Sequence, residues 1–179
     1  ELPLDAVAWA AAALLALGAG LLWFHRDPPR PVGAGVVSPA DGTVLSVDER
    51  DDHVRLSIFM SPFNVHVNRA PIAGRVTAQQ RSGAGFSPAY SVAADGNLQV
   101  RTELETAVGP VAVTQVAGAL ARRITSYLSE GQQLAKGERI GIIHLGSRVD
   151  LELPLGAEMV VKPGQKLQAG QPVARLAGS

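Results

Sequence analysis

The chain has 179 residues, no cysteine, and 16 basic side chains balanced by 16 acidic ones. That size suits one domain. The missing thiols exclude a disulfide framework, a thiolate metal site and a cysteine nucleophile, and with the charge even nothing points to nucleic acid, which favours a concentrated basic surface.

In chain order, the first element is residues 6–24 (AVAWAAAALLALGAGLLWF), which carry no charge. At about 1.5 Å per residue, a helix of this length nearly spans a hydrocarbon layer of roughly 30 Å. Trp9 and Trp23 lie near its ends, where interfacial aromatics sit. Its apolar character runs all the way round, unlike the one-sided stripe of a surface helix. Glu1 and Asp5 form the wrong flank for a cleaved signal peptide, and Arg26 and Arg30 follow the segment. Residues 1–24 are therefore expected to anchor the chain in the cell membrane, with everything after residue 25 on the cytoplasmic face. The chain does not begin with methionine, which leaves room for further residues, another hydrophobic segment among them, upstream.

Residues 25–35 (HRDPPRPVGAG) read as a proline-rich linker that cannot stay helical. Residues 36–179 are expected to form one β domain. Turn signals separate alternating or β-branched runs at 43–47, 54–59, 98–104, 111–116, 139–145, 149–153 and 159–161. This spacing predicts a mainly β sandwich or barrel. Residues 119–128 read as a further strand running into a turn at Gly131. The turn GQQLAKG (131–137) recurs as GQKLQAG (164–170). It resembles the turn that closes lipoyl- and biotinyl-carrier domains, and SPADGTV (38–44) resembles their first strand, so the expected architecture is barrel-sandwich-hybrid-like. The lysines do not suit a carrier, since Lys136 and Lys162 lie beside turns and Lys166 lies inside the second repeat, not at a hairpin tip. Metal is not expected either. The four histidines include no His-x-His pair, so the ligand set of a zinc peptidase is missing.

Gly146-Ser147 interrupts an otherwise strand-like stretch. A serine after a small residue in a tight turn can add its hydroxyl oxygen to the carbonyl before it, turning the amide into an ester. Loss of the ester by β-elimination leaves dehydroalanine, and hydrolysis of that gives a pyruvoyl group and ammonia. Strain in the bond assists the shift. Taken alone, however, a Gly-Ser pair is far more often a plain turn.

The context of this pair resembles a known family. GERIGIIHLGSRVDLELP (137–154) is similar to the self-cleavage region of phosphatidylserine decarboxylases, especially their short form. SPADG (38–42), FMSPFNVHVNRAP (59–71) and QVAGALARRI (115–124) resemble the family's other blocks in the same order, and the likeness covers nearly all of residues 24–170. On these four blocks the chain is identified as a member of that family. The resemblance implies a proenzyme that cuts itself between Gly146 and Ser147 and carries a covalent pyruvoyl cofactor made from Ser147. It implies decarboxylation of phosphatidylserine, or a related serine phospholipid, to phosphatidylethanolamine and carbon dioxide, through a Schiff base with the substrate amine.

The resemblance also implies roles for two further residues: Asp41 as the acid that activates the serine, and His66 as the group that handles the proton. Read as residues only, Asp41 is a common turn aspartate before glycine, and His66 is as readily a packed histidine as an acid or base. Longer family members carry a second histidine three positions on. Here that position is Arg69, so an Asp–His–Ser relay is absent or rebuilt. Asn68 and Arg69 are expected as polar contacts to the substrate. Residues 83–89 (GAGFSPA) with Tyr90 read as a lid whose Phe86 and Tyr90 touch the lipid, or equally as a connector. Arg148 and one of Arg122 and Arg123, which alternate across a strand, are candidates for the lipid phosphate. His144 reads as strand packing, and His25 and His53 as surface residues. The expected partners are the membrane, the two fragments of one proenzyme, and a second copy of the chain through an exposed β edge. Ester- and ether-linked tails present the same serine head and are not told apart by the sequence.

Overall fold

The computed structural model describes residues 3–119, 123–144 and 146–176. Helix α1 (Leu4–Phe24) is built from alanine and leucine, both strong helix formers. Asp5 in its first turn complements the helix dipole, and Pro28-Pro29 lie just beyond its end at His25. Its apolar side chains stay exposed, Trp9 by 76% and Leu22 by 78%, until Phe24, which is buried.

Residues 25–35 are irregular but strapped to the domain. Asp27 accepts hydrogen bonds from Arg69 (2.6 Å) and Arg139. Arg30 pairs with Asp41, and Lys136 donates to the carbonyls of Gly33 (2.9 Å) and Gly35 (3.1 Å).

The β domain is mainly strand, as its turn spacing predicts. Its strands are β1 (Val36–Val37), β2 (Gly42–Glu49), β3 (His53–Met60), β4 (Val67–Arg69), β5 (Gly74–Ser82), β6 (Gln99–Thr106), β7 (Gly109–Ala117), β8 (Arg123–Ser126), β9 (Gln133–Leu134), β10 (Arg139–His144), β11 (Ser147–Pro154), β12 (Glu158–Met159), β13 (Lys166–Leu167) and β14 (Pro172–Arg175). Eight form one curled sheet in the order β13-β2-β3-β11-β7-β6-β5-β9, and β4-β10-β8 and β1-β14-β12 make two smaller sheets.

The two ends of the large sheet repeat one another, β13 beside β2 at one end and β9 beside β5 at the other, and the sequence explains why. APIAGRV (70–76) repeats SPADGTV (38–44), just as GQKLQAG repeats GQQLAKG. The hydrogen bonds repeat as well. Val44 N–H donates to Gln165 O and Val76 N–H to Gln132 O, both at 2.9 Å, while Gly164 and Gly131 donate back to Val44 and Val76 at 2.9 and 2.8 Å. The closing glycine of each turn meets the linker. A Cβ on Gly137 (φ +83) would lie 2.5 Å from the Val32 side chain, and one on Gly170 (φ +89) 2.3 Å from the Pro31 carbonyl oxygen.

Period-two alternation divides the large sheet into two faces. Leu56, Ile58 and Met60 of β3, Val111, Val113 and Ala117 of β7, and Val149, Leu151 and Leu153 of β11 belong to the buried core. The alternate residues Arg55, Arg148 and Asp150 form an ionic cluster with Asp95, which lies on the short 3-10 turn Val92–Gly96. Burial alone would raise the Asp95 carboxyl, but its hydrogen bonds and charge pairing with Arg148 and Arg55 hold it below its ordinary value. The sequence runs missed β5, because Val76 is its one buried side chain and its remaining residues are largely polar. Residues 123–126 are strand, as expected for 119–128. Arg122 lies outside the described residues.

Candidate active site

Between β10 and β11 the chain passes from a three-stranded sheet to the middle of the eight-stranded one. Gly146 makes the corner at φ +57, a left-handed conformation that costs other residues about 1–2 kcal/mol. Its carbonyl faces the end of β7 so closely that a Cβ on Gly118 would lie 1.9 Å from the oxygen. Glycine at both positions therefore lets this carbonyl sit where it does.

Ser147 opens β11, between Met60 of β3 and Ala117 of β7, and is fully buried. It lies in phase with Val149, Leu151 and Leu153, on the core face. Its hydroxyl is directed at Met60 Sδ, 3.6 Å away, and a thioether is only a weak acceptor. Asn68 Nδ2 donates to the same sulfur at 3.5 Å, and Asn68 Oδ1 accepts from Gln115 Nε2 at 2.7 Å. Gln115 lies over Gly141, where a Cβ would come 3.1 Å from Nε2. Ser147, Met60, Asn68 and Gln115 thus form one buried chain of polar and sulfur contacts.

His66 is fully buried just before β4. Its Nδ1–H donates to the Asn64 carbonyl (2.9 Å). That bond sets the tautomer and leaves Nε2 as a lone-pair acceptor, which has no hydrogen-bond partner among the described residues. Burial pushes its pKa down to about 4, against the Asn64 bond, with the charges of Arg26 and His144 adding to the fall and Asp41 opposing it. At neutral pH the ring is uncharged. The Phe24 ring lies 4.3 Å from it, so the last residue of α1 covers the imidazole. His144 meets Thr125 Oγ1 at 3.4 Å and the His25 ring at 5.7 Å. Burial, then the charges of His25 and Arg123, lower its pKa.

The other expected residues are placed as follows. The carboxylate of Asp41 is taken up by Arg30 and by the Ala169 N–H (2.9 Å), and Ser147 is not among its hydrogen-bond partners. Arg69 is held by Asp27 and the Gly137 carbonyl (3.1 Å), on the linker side. Phe86 and Tyr90 are exposed, and Tyr90 meets Phe59 edge-on at 5.8 Å. Their loop is pinned by Asn97, whose amide nitrogen donates to Ser87 O (2.7 Å) and Ala117 O (2.8 Å), which brings it beside the strand neighbour of Ser147. Arg123 is exposed. Arg148 is not available to a phosphate: alternation turns it away from Ser147, and Asp95 and Asp150 hold it buried. A groove of about 630 Å³ lined by Arg75, Arg101, Glu103, Glu105 and Glu152 takes in none of Ser147, His66, Asn68 or Gln115. Gln115 and Met60 are the members that sequence reasoning missed. Gln115 had a signal, because a glutamine falls where Val111, Val113 and Ala117 put apolar residues into the core.

Fold and site together define a β domain that follows an apolar helix, with a buried serine, a thioether and two side-chain amides linked at a sheet corner, and an uncharged histidine buried two residues before one of those amides. Comparison with known proteins makes this specific. The family model described as phosphatidylserine decarboxylase matches residues 17–175. A phosphatidylserine decarboxylase proenzyme of Streptomyces griseus is 49% identical over 90% of this chain and 77% of its own length. That of Thermobifida fusca is 48% identical over 88% and 74%. A Halobacterium salinarum protein, named provisionally as an archaetidylserine decarboxylase proenzyme, is 48% identical over 89% and 82%. The chain belongs to the phosphatidylserine decarboxylase family and is a decarboxylase of phospholipid metabolism.

Proposed function

We propose that this decarboxylase acts on phosphatidylserine at the cytoplasmic face of the membrane, and that it makes its own pyruvoyl group by cleaving the Gly146–Ser147 bond. One observation carries the reading: a fully buried serine sits behind a left-handed glycine, and among the described residues its hydroxyl meets only a thioether, which it shares with the Asn68 amide, two residues along the chain from the neutral His66. The proenzyme names of the relatives support it, and so does α1, which is long and apolar enough to cross a bilayer. Arg26 and Arg30, just after α1, favour the cytoplasmic side.

The surroundings of Ser147 suit a pyruvoyl group. Met60 and Ala117 give it apolar neighbours on either side, and the Asn68 amide nitrogen, which among the described residues donates only to sulfur, is ready for a carbonyl. Once formed, the group supplies a ketone that condenses with a primary amine and takes up the electron pair left by a departing carboxylate. The side chains then divide the remaining work. His66 Nε2 takes the proton that the lipid's ammonium must lose to become a nucleophile, and returns it to the carbon that has lost carbon dioxide. Gln115 fixes the Asn68 amide so that its N–H2 faces the reacting position. Asp41 is occupied by Arg30 and Ala169, so His66 is also assigned as the base for Ser147 during self-cleavage. Phe86 and Tyr90 meet the lipid beyond its head group. The amine and carboxylate are the same in phosphatidylserine and archaetidylserine, and the relatives include proteins named for each.

Denaturing gels and mass spectrometry test this directly. The parent chain should yield two fragments, the shorter beginning at residue 147 with a keto group in place of an amine. Ser147→Ala should give one uncut, inactive chain. An intact chain with an ordinary seryl residue and full activity would overturn the reading.

A further inference from the structure

The loop of residues 61–64 (SPFN), between β3 and β4, points a phenylalanine outward. Phe63 is 75% exposed, and the loop that carries it is firmly built. Asn64 Oδ1 accepts from both the Ser61 N–H and its hydroxyl at 2.8 Å, and Asn64 N–H donates to Ser61 O at 3.0 Å. The exposed ring is thus held in place by the loop.

The loop is also tied to the end of α1. The Phe63 ring lies edge-on to Trp23, with centroids 6.2 Å apart. Arg26 donates to the carbonyls of Phe63 (2.7 Å) and Trp23 (2.8 Å), and its guanidinium covers the Trp23 ring at 3.6 Å. Leu21, Leu22, Trp23 and Phe63 are all about half exposed or more, so the apolar surface of the helix continues onto the domain. Aromatic rings backed by an arginine are the composition of a bilayer interface, where rings sit at head-group level and a cation meets phosphate.

We propose that the 61–64 loop is a second membrane contact. Phe63 enters the boundary between head groups and acyl chains beside Trp23, and Arg26 lies at the phosphate level. This rests on reading α1 as a membrane anchor. The contact also bears on the reaction, because the loop that carries Phe63 supplies the Asn64 carbonyl that orients His66. Seating the loop on the bilayer steadies that carbonyl, and with it the buried imidazole.

The test uses the full chain in phosphatidylcholine vesicles containing phosphatidylserine. A single tryptophan is placed at position 63 by Phe63→Trp in a background of Trp9→Phe and Trp23→Phe. Its emission should be quenched by lipids brominated near the head of the acyl chain, and not by aqueous iodide. The reverse pattern overturns the proposal. Trp9, left as the lone tryptophan, reports on α1 separately. If Trp9 is not quenched by lipid, the anchor reading itself fails; if Trp9 is quenched and position 63 is not, the loop contact alone fails. Phe63→Asp should lower turnover of vesicle-embedded phosphatidylserine by roughly tenfold, as losing one buried aromatic ring predicts. Turnover of a soluble short-chain phosphatidylserine should stay as it was. Equal loss on both substrates, or loss on neither, counts against the contact.

Discussion

Burial keeps the imidazole of His66 neutral at pH 7, and the same burial links this residue to stability. In the unfolded chain it takes up a proton near pH 6.5, and in the folded chain only near pH 4. Between those values the unfolded state holds more protons, so stability is intact above pH 6.5 and is lost as the pH falls towards 4. A shift of that size is worth roughly 3 kcal/mol. His66→Gln should flatten this part of the profile, which urea unfolding of the full chain in detergent micelles at pH 7 and 4.5 would read; an unchanged pH dependence would show that the folded imidazole titrates normally. Gln115 makes the second expectation at this scale. Gln115→Leu should leave the fragment pattern intact while lowering kcat by about 10–100-fold with little change in KM, because the Asn68 amide then loses its fixed orientation. An unaltered kcat would remove Gln115 from the machinery.

The glycine corner sets the behaviour of the elements around it. A side chain at residue 118 meets the Gly146 carbonyl at a distance no contact tolerates, so Gly118→Ala should abolish or severely slow the appearance of fragments while β7 still pairs through Ala117; normal processing would mean that this carbonyl can move freely. The elements also show what the sequence reveals and what it hides. Strands β3, β7 and β11 were legible because each puts alternate residues into one core, but Ser147 read as part of the interruption before 149–153, whereas it is the first residue of β11. Strand β5 was not legible, since Val76 is its one buried side chain and leaves no alternation to read. The internal repeat was visible in its turns and faint in its strands, where proline, glycine and valine are the shared residues. The surroundings of Asp41 and Arg69 could not be read at all. Their partners, Arg30 and Asp27, lie in a linker whose composition says only that it is irregular.

At the scale of the whole molecule, that linker joins helix and domain into one arrangement. Asp27 holds two arginines from different strands, Arg69 on β4 and Arg139 on β10. Asp27→Asn should cost about 1–3 kcal/mol, the usual penalty for weakening charge-assisted bonds to partly buried groups, and a lower denaturant midpoint at unchanged m would show it. No change would mean that the straps are redundant. Because Phe24 covers His66 directly, α1 and the proposed proton carrier are separated by one aromatic ring, and inserting residues into 25–35 should disturb turnover even where folding survives.

The position of β11 has a consequence for the proposed cleavage. A nick at its leading edge would release a piece whose longest strand is clasped on both sides, by β3 along all eight of its residues and by β7 along most of them, and whose tail is stitched to β1 and β2 through β14 and β13. Such a piece has no route out short of global denaturation, so the two polypeptides should co-migrate as a single particle and melt together, and a break in covalent continuity would pass unnoticed by every measurement except those that count chain ends.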